Sequence, residues 1–170
     1  MKKLLLGLSL FCVTFVCGQN RTTVDHFKFL GIPLNGTIEN FDKQLKNKGF
    51  ENIFDDAYVG MFDGDSVLVF PCVSDEINNV YGVMITVAEF DTHSEAIELI
   101  DRLKSRYEYK YNGVFENQGS FESLTVLKKE KPFGIIFIST KKVGEKHNVV
   151  VSYFDAVNWQ KDLELTNKDL

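Results

Sequence analysis

Two hydrophobic periods run along this chain. Ile38, Phe41 and Leu45 recur at the spacing of one helix face. Thr37 offers an N-cap, Glu39 a carboxylate in the positive first turn and Gly49 a left-handed stop, so the spacing predicts a helix over 37–48. Phe50 follows Gly49 and is placed to fold back on Leu45 in a Schellman closure. A second stripe, Ala96, Ile100, Leu103 and Tyr107, joined by Ile97 and Leu99, predicts a helix ending near Tyr107. Thr92 and Glu95 have the spacing of a capping box at its start.

Elsewhere the period shortens to two. Residues 27–32 alternate weakly and stop at Pro33, which reads as a first strand. Strands over 57–62 and 66–73 flank Asp63-Gly64, a strong hairpin signal. Residues 74–79 form a polar loop and 80–90 a long strand. Strands over 121–129, 133–141 and 148–154 follow, with Lys131-Pro132 and Gly144 marking turns. Residues 158–170 are charged and weakly helical. Hairpin-like connections imply antiparallel pairing. The expected fold is α+β, an antiparallel β-sheet covered on one face by two helices. The similar openings at Thr37 and Thr92 raise a variant, two tandem β-α-β-β(-β) half-repeats over 24–90 and 91–157.

The start of the chain has a different pattern. Met1-Lys2-Lys3 precedes an almost wholly apolar stretch to Val16, then Cys17-Gly18. This is the layout of a secretory signal peptide over 1–18, too short to span a bilayer comfortably. A single α+β domain over 19–160 and a C-terminal tail over 161–170 are expected, with no transmembrane segment in the mature chain. The two-lysine start has a bacterial look, and the expected location is the periplasm or exterior. Lipid attachment at Cys17 is a rival, against which stand Thr14, Phe15 and Val16, where a lipoprotein signal usually has Leu and a small residue.

With 44% hydrophobic and 25% charged residues, the composition excludes disorder. The net charge is −5, and losing Lys2 and Lys3 with the leader takes it to −7. An acidic chain argues against nucleic acid and against an electrostatic anchor on anionic lipid. Cys72 is left alone after the leader, so no internal disulfide forms. It reads as a small buried hydrophobe in a strand, and as a nucleophile only with a partner the sequence does not name.

Little else carries chemistry. His26, His93 and His147 lack zinc-site spacing, and no cofactor is implied. Asp55, Asp56, Asp63 and Asp65 read as turn residues, because no calcium-loop continuation follows. Glu95, Glu98 and Asp101 read as a solvated helix face. No phosphate loop or nucleophile elbow is present. Tyr107, Tyr109 and Tyr111 alternate after the second helix, so a strand would display them together as a binding surface or pack them on the sheet edge. Trp159 has the same two readings.

The segment from Phe29 to Thr37, then Phe41, Leu45 and Lys48-Gly49-Phe50, resembles a group of small secreted Bacteroidetes proteins with no assigned activity. Tyr58-Val59-Gly60-Met61-Phe62, Lys110-Tyr111 and Tyr153-Phe154-Asp155 before Asn158 extend the likeness. It implies export and a shared fold, and brings no catalytic residues. The expected role is non-catalytic binding of a protein or small envelope ligand. The alternatives are an envelope enzyme with a site assembled from distant residues, and an inhibitor of a secreted hydrolase using the loops at 74–79 or 112–120.

Overall fold

In the computed structural model, residues 25–74 and 78–166 are described. The leader over 1–18 and the lipidation candidate Cys17 lie outside them. The chain opens with β1 (Lys28–Phe29) and β2 (Ile32–Pro33), followed by α1 (Ile38–Asn47). The strands β3 (Glu51–Phe54), β4 (Ala57–Phe62), β5 (Asp65–Ser74) and β6 (Asn79–Phe90) come next. Then α2 (His93–Tyr111) precedes β7 (Glu116–Asn117), β8 (Glu122–Lys128), β9 (Lys131–Val143) and β10 (Lys146–Asp155), and α3 (Ala156–Thr166) closes the described chain. The fold is α+β. β3 to β10 form one antiparallel sheet of order β3-β4-β5-β6-β10-β9-β8-β7. α1 and α2 each lead into four consecutive strands. The last strands of the two runs, β6 and β10, pair along the middle of the sheet.

One sheet face carries the main core. Val83, Ile85 and Val87 on β6 line up with Val149, Val151 and Tyr153 on β10, with Ile136 and Ile138 beside them. The predicted stripes turn inward: Phe41 and Leu45 from α1 and Ile100 and Leu103 from α2 are all buried in this cluster. Ile97, by contrast, is largely exposed. α3 packs on the opposite face, against β9, β6 and β10. Phe154 points away from Tyr153, because successive strand residues alternate sides. It stacks on Trp159 of α3 with ring centroids 5.4 Å apart.

Local chemistry explains the boundaries. α1 closes as a Schellman motif, with Phe50 N–H donating to Leu45 O at 3.1 Å and Gly49 N–H to Lys46 O at 3.0 Å. Thr37 is its N-cap by backbone, but its hydroxyl makes no cap bond. That hydroxyl bonds the Glu39 carboxylate and helps hold it below the usual range. The α2 capping box is complete, and Glu95 N–H donates to Thr92 Oγ1 at 3.3 Å.

Several expectations need correction. The first strand is instead a tight hairpin, because Leu30 and Gly31 both adopt positive φ (51° and 82°) and turn the chain between β1 and β2. α2 continues to Tyr111, so Tyr109 and Tyr111 are helical. Its stop is Asn112, in the left-handed conformation, followed by Gly113. Lys131-Pro132 lies inside β9. The turn before it is Lys129-Glu130, both with positive φ. The short strands β3 and β7 were not foreseen.

A buried carboxylate joins the opening hairpin to the last described helix. Asp155 is 1% exposed and closes β10. One oxygen accepts from Asn158 N–H at 2.9 Å and so caps α3. The other accepts from Phe27 N–H at 2.7 Å, and His26 Nδ1 lies 3.1 Å from it. Asn158 then donates to Leu34 O at 2.8 Å. The opening hairpin, itself too small to stand alone, is thereby fixed to the end of the central strand. Its Phe27 ring lies over Gly134 of β9, where an added Cβ would meet a ring carbon at 2.3 Å.

Two substitutions test this packing. Asp155→Ala leaves two buried backbone donors without acceptors and is expected to lower stability by about 2–5 kcal/mol in urea unfolding. Gly134→Ala, which forces Phe27 off its seat, is expected to lower it by about 1–3 kcal/mol. Wild-type midpoints for both would disprove this account.

Candidate functional site

The opening hairpin, the end of α2, the end of β4 and the β8–β9 hairpin converge on an open cleft of about 740 Å³. Its floor is aromatic. Phe27, Phe29, Tyr107 and Tyr153 are each at most 5% exposed. Half-buried Phe62, Tyr111 and Phe133 form the walls. Phe27 lies 5.7 Å from both Tyr111 and Phe133 and Phe29 5.4 Å from Tyr153, edge to face or tilted, while Phe29 stacks on Phe62. Leu127, 58% exposed, stands at the mouth.

The floor's polar atoms are few. The Tyr107 and Tyr153 hydroxyls are hydrogen-bonded to each other. Burial pushes the Tyr107 phenol up to about 12, and burial together with the Tyr107 neighbour raises Tyr153 well above its ordinary value. Both are therefore neutral at physiological pH. One phenol donates its proton to the other's oxygen within this buried pair.

The rim is cationic. Lys28, Lys110 and Lys128 line the cleft against a single carboxylate, Asp25. Asp25 pairs with Lys128 and lies 3.9 Å from Lys28. The hydrogen bond from Lys128 is the main reason its carboxyl stays below the usual range. Lys110 Nζ sits 4.9 Å from the Tyr111 ring centroid, and Lys128 Nζ 4.9 Å from that of Phe133. Each ammonium thus rests over an aromatic wall.

The four aromatic candidates part company. Tyr107 and Tyr111, one helical turn apart, share the cleft with ring centroids 6.4 Å apart. Tyr109 is 92% exposed and lies off that face, as the helical period requires. Trp159 packs on the other face of the sheet, against Phe154 and Phe137. Sequence reasoning missed Phe27, Phe133, Lys110 and Lys128 as neighbours, because they come from segments far apart in the chain. Asp155, three residues before Asn158, was the one legible cap signal left unused.

Other groups stand away from the cleft. Burial pushes the Cys72 thiol up to about 11, so it is protonated at neutral pH. His93 and His147 come within 5.3 Å, centroid to centroid, at the start of α2. Glu95, Glu98 and Asp101 are exposed. Among the described residues, no group of three or more His, Cys, Asp and Glu side chains could hold a metal ion. The 74–79 loop lies partly outside the described residues, and the 112–120 segment contains β7.

The phenol pair gives a pH signature. An unfolded tyrosine ionises near 10, whereas Tyr107 in the fold holds its proton to about 12. The folded state therefore binds the proton more tightly, and stability is lost as pH rises between those values. Tyr107 alone contributes on the order of 2–3 kcal/mol to that loss. Denaturant midpoints are expected to be level from about pH 8 to about pH 10 and to fall above it, less steeply in Tyr107→Phe. An identical alkaline slope in the variant would refute the assignment.

No known family, curated protein or solved structure matches the chain.

Proposed function

We propose that the protein is a non-catalytic binding protein of the bacterial envelope or exterior, and that its ligand occupies the aromatic cleft. The observation that carries this reading is the joining of Tyr107 and Tyr111 with Phe27 and Phe133 around one concavity of about 740 Å³. That volume is within the range of small-molecule sites, which are typically apolar with a few polar groups.

The chemistry favours binding over reaction. The phenols stay neutral, and Asp25 is already ionised and paired. Neither is poised near neutral pH, where a general base works best. Cys72 lies outside the cleft lining, and no histidine is part of it. Export is supported by the basic start and apolar stretch of residues 1–18. No helix among the described residues is long and apolar enough to cross a membrane.

The test is retention of a small molecule. The purified protein is incubated with an envelope extract, desalted and examined by native mass spectrometry. A bound small molecule is expected, at occupancy reduced at least tenfold by Leu127→Trp, which fills the mouth. No retained mass, or retention unchanged in the variant, would overturn the reading. Fractionation of the cells tests export separately: recovery from the cytosol with the leader intact would refute it.

A further inference from the structure

Resting on that reading, we infer that the cleft takes a free amphipathic anion, an apolar chain or ring ending in one acidic head. Two independent features of the cleft select this class. The floor and walls are mostly aromatic rings with few polar atoms, so they reward an apolar body by excluding water from it. The rim carries three lysines and one aspartate, on a chain whose net charge is −5. The sign of the surface is thus reversed at the cleft mouth, and charge complementarity selects a negative head.

The lysines differ in what they can offer. Lys128 is committed to Asp25, and Lys28 shares that carboxylate at 3.9 Å. Lys110 has no carboxylate partner among the described residues and lies over Tyr111. Its ammonium is at the junction of the aromatic wall and solvent. A head group there would pair with Lys110 while its body lay against Tyr111 and Phe27. A neutral amphiphile would leave that pairing unmade, and a cationic one would meet like charge.

The experiment compares ligands of one tail and three heads. Laurate, dodecanol and dodecyltrimethylammonium are titrated into the purified protein below micellar concentrations, with heat as the readout. Laurate is expected to bind at one site, at least tenfold more tightly than dodecanol, and the ammonium compound not at all. Lys110→Met keeps the aliphatic stem of an exposed side chain. It should weaken laurate three- to tenfold, leave dodecanol unchanged and leave the melting temperature at the wild-type value. Equal affinity for laurate and dodecanol, or a Lys110→Met affinity equal to wild type, would overturn the acidic-head assignment while leaving a binding cleft. If none of the three binds, the inference fails, and the retention assay decides separately whether the binding reading stands. Sedimentation with phosphatidylglycerol vesicles separates a free amphiphile from a bilayer surface. Pelleting that Lys110→Met abolishes, without laurate binding, would overturn the inference in favour of the membrane.

Discussion

Asp155 ties the opening segment of the described chain to the end of β10 and the start of α3. Its carboxylate is buried beside the central strand pair and accepts from the start of α3, from Phe27 N–H and from the neighbourhood of His26. A lone buried carboxylate would be strongly unfavourable. Here backbone amides satisfy it, and the helix N-terminus it caps favours negative charge. The consequence reaches the cleft. Once Phe27 N–H is pinned, its ring settles over Gly134, and only glycine leaves room for it. The floor of the cleft is set by a capping interaction on the far side of that residue.

The same geometry accounts for the division of labour between the two faces of the sheet. Tyr153 and Phe154 are neighbours in sequence and point to opposite sides. Tyr153 meets Tyr107 under α2, and Phe154 meets Trp159 under α3. β10 therefore carries the cleft floor on one face and the seat of the last helix on the other. Asp155, the next residue, ties that helix to the opening hairpin. Strain introduced at the end of β10 would reach both layers, which is why a polar network is placed there despite the desolvation it entails.

What the sequence made legible was local. The Schellman end of α1, the Thr92–Glu95 capping box and the Asp63-Gly64 hairpin each depend on residues a few positions apart, and each is present as expected. The α+β class followed from the same signals. The errors came where two local preferences competed. Tyrosines at every second position read as a strand, but Asn112-Gly113 was the stronger stop, and α2 ran through them. A helix turns about 100° per residue, so the three-tyrosine face dissolved into a pair and an outlier. The pair Tyr107 and Tyr111 was in the candidate set for a reason the fold replaced. Lys28, Lys110, Lys128 and Phe133 could not be found by spacing, because only the folded sheet brings the opening hairpin beside β8 and β9.

The electrostatics of the cleft point the same way as its shape. An acidic chain gains nothing in overall solubility from gathering lysines at one concavity, and exposed ion pairs contribute little to stability. Asp25 balances only part of that charge. Two ammonium groups lie over aromatic rings at the rim, and Lys110 does so with no carboxylate partner among the described residues. The ring contact holds Lys110 near the mouth while leaving its ammonium hydrogens free to donate. Beneath them lie neutral phenols and hydrocarbon. A wet positive edge above a dry floor is a gradient of polarity, and it orients any occupant head outward and body inward.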